Sequence, residues 1–507
     1  MRLADLFGRA ELDFPPELGD LDINKIVTDS RKAVPGCLFL CIQGLRTDGH
    51  GYVDDAIKAG AGVIVAERVR DACVGGAAAW IMLKNTRRAA ALLYNAWYGN
   101  PCDKLKVIGV TGTNGKTSVS SLLTEVLDAA GYRCGLLGTV CCRSADGRGL
   151  TRLHADPLAN MTTPDPEQLY AMLAEMVADG VEYAVMEVTS HALALHKVDA
   201  IFFDVAVFTN LTQDHLDFHG DMEAYFYAKR KLFEQCRLAV VNGDDNFGGR
   251  LLQEISCPAL ICSTREGDYC ALDIESQGLQ GSRYQLRTPR GDFALRVGIP
   301  GSFSVMNSLM AATVALTLGV PFEVIRRTLD ETAGVEGRME RLRLPRSADF
   351  SVLIDYAHTP DALEKLLKSV HGFRRRGERI VLLFGCGGDR DRGKRKEMAI
   401  IASRLADHVI VTSDNSRGED PDGIIADILR GMDREKSRTV IRDRRVAIET
   451  AVLCAKEGDI LILAGKGHER YEIGSEGRVP FDERRIVEDA YRRRQRACGD
   501  TPCDKDA

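Results

Sequence analysis

Seven consecutive residues, Thr111-Gly112-Thr113-Asn114-Gly115-Lys116-Thr117, bring together two glycines, a lysine and three hydroxyls. Glycine lets backbone approach a ligand closely, and N–H groups at the start of a helix converge on phosphate oxygens, so the segment reads as a phosphate cradle. In that role Lys116 neutralises the terminal phosphates and the Thr117 hydroxyl faces Mg²⁺. The strict P-loop spelling requires a glycine five residues before Gly115, where Val110 stands. An ordinary glycine turn is the alternative, and the apolar strand before it and helix after it argue against that.

Two further polar clusters sit at the ends of apolar runs: Glu187-Val188-Thr189-Ser190-His191, and the stretch from Asn210 to Gly220 that contains Asp214, His215, Asp217 and His219. Carboxylates and neutral imidazoles suit Mg²⁺ ions that bridge a nucleotide and an acyl group. Each cluster alone is equally readable as a helix cap or a satisfied core histidine.

The elements that must position these residues follow from the apolar pattern. From Lys106, KVIGVTGTNGKTSVSSLLTEVLDAAG reads as a buried strand, a turn and a helix. Strands recur at 182–188, 204–211 and 238–245, then at SVLIDYAH, IVLLFGCGG, HVIVTSDN and DILILAGKG, each followed by a helical stretch. That alternation predicts parallel sheets with crossover helices, and in such sheets the strand C-termini face the ligand crevice. The turn-rich Tyr98-Gly99-Asn100-Pro101 and the Arg- and Gly-rich 334–350 suit linkers. The expected fold is α/β in three domains: 1–101, a central P-loop-type mononucleotide-binding parallel sheet over 102–337, and a Rossmann-like domain over 338–507.

Bulk composition narrows the classes. With 67 Lys+Arg against 73 Asp+Glu, the net charge of -6 offers no global field for nucleic acid or anionic lipid. The start, MRLADLFGRAELDFPP, lacks the basic end and apolar core of a signal peptide, and no apolar run is long enough to span a bilayer. A cytoplasmic monomer is expected. The 15 cysteines lack the paired short spacing of a zinc site and read as free thiols.

Taken together, GTNGKT, MTTPDP (161–166), MEVTSHAL (186–193), FTNLTQDHLDFHGDMEAYFYAKRKLF (208–233), NGDD, GRME, IDYAHTPDAL (354–363), FGCGGDRDRGKR (384–395) and AGKGHE (464–469) resemble the Mur ligases. The resemblance runs from about Val27 to about Arg484. It implies an ATP-dependent amide ligase of bacterial cell-wall synthesis, which forms an acyl phosphate that an amine then displaces. It implies that Thr111 to Thr117, Asn307, Arg338 and Asp355 serve ATP. Lys116, Glu187, His215 and Lys229 would be catalytic, and Thr117, Glu187, His215 and Lys229 would serve Mg²⁺. Lys229 matches the family lysine that carries a carbamate, N6-carboxylysine; an anionic carbamate can bind a cation that an ammonium would repel. The competing reading is a solvated lysine on an amphipathic helix.

The same resemblance places a UDP-N-acetylmuramoyl-dipeptide on Ser30, Leu45, Arg46, Thr47, Thr162, Thr163, Thr189 and Lys197. Thr189 stands where serine is common and Lys197 where arginine is, and lysine lacks the bidentate fork. The incoming amino acid would meet Arg390, Asp414, Asn415, Ser416, Arg417, Gly465 and Glu469. Arg417 favours meso-diaminopimelate over L-lysine, because a guanidinium pairs with the second carboxylate that lysine lacks. Ser416 departs from the family's proline. Asp414 and Asn415 could also cap the following helix. A folylpolyglutamate-synthase-like ligase is the enzymatic rival, and a catalytically dead nucleotide-binding scaffold is the non-enzymatic one.

Overall fold

A computed structural model describes residues 1–44, 47–68, 78–150, 161–332, 334–345 and 348–499. The chain divides into two compact units, Met1–Cys270 with Leu309–Ile325, and Ala271–Ser308 with Arg326–Ala507.

The first unit holds two sheets. β1 (Ile26–Val27), β2 (Leu38–Leu40), β3 (Val63–Ala66) and β4 (Ala79–Met82) form a parallel sheet in chain order. β2 and β3 are buried at every position, as strands covered on both faces must be. The second sheet uses β5 (Lys106–Thr111), β6 (Cys134–Leu137), β7 (Cys142–Arg143), β8 (Tyr183–Glu187), β9 (Val205–Phe208), β10 (Ala239–Asn242) and β11 (Ala259–Ser263) in the order β11-β10-β9-β5-β8-β6-β7. All its pairs are parallel except the short edge pair β6–β7. β5, first in the chain, lies between β8 and β9, so the strand order reverses beside it. A crevice therefore opens at its carboxyl end. One apolar cluster, including Leu40, Val65, Leu93, Val107, Met186 and Phe208, runs through both sheets.

After β12 (Tyr269–Ser276), β13 (Ser282–Thr288) and β14 (Gly291–Val297) make an antiparallel hairpin in the second unit, Ser282 opposite Val297. The main sheet there is β15 (Glu340–Arg341), β16 (Ser351–Asp355), β17 (Arg379–Phe384), β18 (His408–Val411), β19 (Arg438–Val440) and β20 (Asp459–Ala464), ordered β15-β16-β20-β17-β18-β19. It is parallel apart from β15, and apolar clusters around Leu382 and Leu383 cover its two faces. The loops after β16, β17, β18 and β20 leave one edge of this sheet. All eight strands expected from the apolar runs are present. Among the described residues no helix is long and apolar enough to cross a membrane, and the twelve cysteines from Cys37 to Cys454 form no disulfide.

Candidate active site

The loop after β5 wraps against the segment after β9. Thr113 and Asn114 donate backbone N–H groups to Asn210 O (2.9 Å) and Asn210 Oδ1 (3.0 Å), and Asn210 Nδ2 returns a bond to Asn114 O (3.0 Å). Gly112 has φ +147°, and a Cβ there would lie 1.9 Å from Thr209 Oγ1, so only glycine fits. The helix Lys116–Ala129 starts directly afterwards and aims its first N–H groups into the loop. Lys116 Nζ donates to the carbonyls of Gly112 (2.9 Å) and Thr113 (3.0 Å).

Glu187, the last residue of β8, is 1% exposed. Its Oε2 accepts from the hydroxyls of Thr117 (3.0 Å) and Thr139 (3.0 Å), and its Oε1 from the Thr139 N–H (2.8 Å). Thr162 Oγ1 lies 2.9 Å from Thr139 Oγ1. Thr163 donates to the Glu187 carbonyl (2.9 Å) and accepts from the Thr189 N–H (3.1 Å). Thr189 also caps the helix Ser190–Ala194, its side chain accepting from Ala192 N, the helix-cap role that is one of the two readings of this cluster. Thr139 was missed in the sequence. It follows the end of β6, and the carboxyl-end argument that singled out Glu187 points to it as well.

Lys229 is not a solvated lysine. It is 1% exposed on the helix Met222–Arg230, and its Nζ donates to Gly112 O (2.8 Å), the carbonyl that Lys116 also uses. Burial, and then the neighbouring Lys116 charge, hold its amine well below the usual lysine range. His215 occupies a left-handed position (φ 53°) ahead of the helix Leu216–His219 and makes no capping bond. Its ring packs edge-on to His191 at 4.9 Å, and Asp214 Oδ2 lies 3.5 Å from its Nε2. Among the described residues no three His, Cys, Asp or Glu side chains form a ready metal cage. Thr117 and Glu187 nonetheless fit Mg²⁺, which takes one or two protein carboxylates and completes its shell with water and substrate phosphates.

A cavity of about 800 Å³ in the first unit is lined by Ser30, Thr47 and Lys197, three residues expected to hold the UDP substrate, and by Lys32, Tyr52 and Arg87, which were not anticipated. Lys197 Nζ pairs with Asp165 at 2.7 Å. Burial lowers the Arg87 pKa, and the guanidinium contacts the Gln43 carbonyl. Leu45 and Arg46 lie outside the described residues.

In the second unit, Asn307 is buried in the helix Ser302–Thr317. Asp355 ends β16 and accepts from the N–H groups of Met339 (2.6 Å) and Ala357 (2.8 Å). Burial raises its pKa against the pull of Arg338 and those bonds. The Arg338 guanidinium stacks 4.7 Å from the Tyr356 ring, which also packs on His358 at 4.5 Å and His468 at 5.1 Å. Among the described residues Arg338 Nε and His468 Nδ1 find no hydrogen-bond partner though both are buried, which is costly unless a ligand supplies one.

The loop after β18 carries the other cluster. Asn415 Nδ2 donates to Glu469 Oε2 (2.8 Å), and Asn415 Oδ1 accepts from the fully buried Lys466 (2.9 Å) and from Ile473 N (2.9 Å). Burial pushes the Asp414 carboxyl up, but Lys466 and Arg444 outweigh it and hold the pKa below the usual range. Gly465 has φ +116°, and a Cβ there would stand 2.5 Å from Asp414 Oδ2. Arg417, at φ 52°, donates Nη1 to Gly388 O (3.0 Å) and Asn415 O (3.2 Å), while Gly388 N donates to Asn415 O (2.9 Å). Ser416 is buried and Arg390 is exposed, its Nη1 on Asp389 O. The cap of the helix Pro421–Leu429 is Asp420, so Asp414 and Asn415 are not its capping residues.

A phosphate cradle at the reversal point of a parallel sheet, backed by a buried carboxylate, defines a nucleotide-handling α/β enzyme. The family described as Mur ligase, catalytic domain fits residues 22–98; Mur ligase middle domain fits 110–315; and Mur ligase, glutamate ligase domain fits 337–467. The UDP-N-acetylmuramoyl-L-alanyl-D-glutamate--2,6-diaminopimelate ligase of Clostridioides difficile (strain 630) is 40% identical over 474 residues, 92% of this chain and 95% of that one. The protein of the same name from Caldanaerobacter subterraneus subsp. tengcongensis is 41% identical over 493 residues, 96% and 98% of the two chains. A solved structure with that name superposes at a TM-score of 0.70 with 30% identity, covering 98% of this chain and 100% of its own. The chain belongs to the Mur ligase family, and it is a ligase.

Proposed function

We propose that the chain joins meso-diaminopimelate to UDP-N-acetylmuramoyl-L-alanyl-D-glutamate in an ATP-dependent reaction of peptidoglycan synthesis. The observation that carries this reading is its similarity, along nearly the whole chain, to ligases of that name. The terminal glutamate carboxylate attacks the γ-phosphorus of ATP, giving an acyl phosphate and ADP. The amine of diaminopimelate then adds to the acyl carbon, and the tetrahedral intermediate expels phosphate as the amide forms. Two anions must meet in the first step, so Lys116 and the loop N–H groups offset the charge that moves between them. Mg²⁺, when bound through Thr117, Glu187, His215 and a carbamylated Lys229, supplies Lewis-acid charge neutralisation.

Ser30, Leu45, Arg46, Thr47, Thr162, Thr163, Thr189 and Lys197 bind the UDP-dipeptide in this reading. The cavity holding Ser30, Thr47 and Lys197 suits it in size and in its mixture of charges. Asn307, Arg338 and Asp355 serve the nucleotide, and the orphaned Arg338 Nε supports an anionic or acceptor ligand there. Asp414, Asn415, Ser416, Arg417, Gly465 and Glu469, with Arg390, receive the amino acid: Arg417 its distal carboxylate, Glu469 an ammonium. The chain acts as a cytoplasmic monomer, with domains at 1–101, 102–337 and 338–507.

Lys229 is suited to carbamylation because only a neutral amine attacks CO₂, and burial lowers its pKa. The products are the carbamate and a proton. A new carbamate resonance in ¹³C NMR with labelled bicarbonate, missing from Lys229→Ala, is the expected result. Wild-type activity of that variant would overturn the modification.

The functional test supplies ATP, Mg²⁺ and the UDP-dipeptide with either meso-diaminopimelate or L-lysine, and follows phosphate and product mass. Diaminopimelate-dependent product is expected. Product with lysine alone would overturn the acceptor reading and implicate Ser416, which frees a backbone angle that proline fixes. Product with neither would overturn the ligase's substrate assignment.

A further inference from the structure

Glu187 is held by a chain of hydroxyls that reaches well beyond the phosphate loop. A threonine hydroxyl has one proton to give. Thr139 spends its proton on Glu187 Oε2 at 3.0 Å, so in the 2.9 Å contact with Thr162 it must accept, and Thr162 must donate. The chain therefore runs Thr162 to Thr139 to Glu187, and Thr117 donates to the same Oε2 from the other side at 3.0 Å. The Thr139 N–H fixes the second carboxylate oxygen at 2.8 Å. A Cβ on Gly138 would stand 2.5 Å from Oε1, so the backbone of this turn is pressed against the carboxylate.

With its proton committed, the Thr162 oxygen offers lone pairs to an arriving ligand, which suits a substrate amide N–H or hydroxyl. A donor bound there polarises Thr162, and each hydroxyl along a chain strengthens the next. A stronger Thr139 donor competes with Thr117 for the shared Oε2 and releases the Thr117 hydroxyl toward the nucleotide. We propose that Thr139 is a positioning residue that couples occupation of the UDP-substrate threonines to nucleotide binding at the phosphate loop, an inference that rests on the UDP-dipeptide reading of Thr162 above. The coupling is reciprocal, because linkage between two binding equilibria has no direction.

The test titrates the full chain with a nonhydrolysable ATP analogue and Mg²⁺ by calorimetry, with and without UDP-N-acetylmuramoyl-L-alanyl-D-glutamate, for wild type, Thr139→Val and Thr139→Ser. The expected result is about tenfold tighter analogue binding with the UDP-dipeptide in wild type and Thr139→Ser, falling to under about twofold in Thr139→Val. Should the valine variant melt early, Thr139→Ala is read in the same way. An unchanged factor in the valine or alanine variant, loss of it in the serine variant, or its absence in a wild type that binds both ligands would overturn the coupling alone. A wild type that does not bind the UDP-dipeptide would overturn the substrate reading first, and the coupling with it.

Discussion

Around Gly112 two amines share one carbonyl oxygen, those of Lys116 and Lys229, and the charge on Lys116 helps to hold Lys229 below the ordinary lysine range after burial has done most of it. Around Asn415 the cations face carboxylates: Lys466 donates to Asn415 and lies 3.6 Å from Asp414; Arg444 pairs with Glu483; Arg395 pairs with Glu419 and Asp427 at 2.9 Å each. Both regions lie at carboxyl ends of parallel strands, so the fold does not account for the difference. It lies in what each awaits. At the first, the Lys116 charge and the converging loop N–H groups suit a polyphosphate, whereas the second, with carboxylates facing its cations, suits a zwitterion with charges of both signs.

Lys116→Met tests the first half of this contrast and carries the largest expected effect. It removes the cation nearest the loop carbonyls without changing the packing volume greatly. A drop of about a thousandfold in kcat/KM is expected, as for loss of one preorganised transition-state charge. A change under tenfold would mean that the backbone N–H groups alone carry the phosphates.

Arg444→Met tests the second half through stability. Arg444 and Glu483 are fully buried, and the guanidinium also donates to Ala464 O (2.9 Å) and Ser413 O (3.3 Å), tying the ends of β20 and β18 together. Leaving Glu483 charged and alone should cost about 3 kcal/mol in urea unfolding, and Arg444→Met with Glu483→Leu should recover much of it. If the single variant is as stable as wild type, charge balance is not what holds this region.

The two regions also differed in how far the sequence revealed them. Thr111 to Thr117 stood out because glycines, a lysine and hydroxyls between a strand and a helix have few other uses, and the structure places that loop where the strand order reverses. Glu187 and the strand ends were readable for the same reason. Thr139 was not, since a threonine after a short strand carries no compositional mark, and its importance depends on two bonds to a residue 48 positions away. The N-terminal sheet and the β13–β14 hairpin were likewise unannounced, the first because its strands are short and the second because its strands, SRYQLRT and GDFALRV, interleave polar and apolar residues instead of forming an apolar run. At Asn415, the roles of Lys466 and Arg444 depend on neighbours brought by other strands; a buried lysine in AGKGHE gives no local sign that Asn415 will be its acceptor.

Arg417→Lys sharpens the comparison on the acceptor side. The guanidinium uses Nη1 on two carbonyls, and a fork leaves further N–H groups for a carboxylate, which a single ammonium cannot reproduce. KM for meso-diaminopimelate should rise about ten- to thirtyfold, with kcat changed less and KM for ATP unchanged. An equal rise for ATP would place the effect on loop folding rather than on recognition of the acceptor.

Glu469 gives the smallest effect and the one that depends on pH. Burial chiefly, with Asp414, raises its pKa above the ordinary value of 4.5, against the pull of Asn415, Lys466 and Arg417. A carboxyl with a raised folded pKa contributes stability that is complete below its unfolded pKa and is lost as pH rises through the folded one. Glu469→Gln cannot ionise, so its unfolding free energy should gain on wild type as pH climbs from 4.5 through that raised value, by about 1.4 kcal/mol per unit of displacement, and stay level above it. Parallel pH curves for the two proteins would show that Glu469 ionises freely in the empty site. Convergence of the curves when meso-diaminopimelate is added would instead show its ammonium offsetting the cost of the buried charge, as a balanced acceptor site requires.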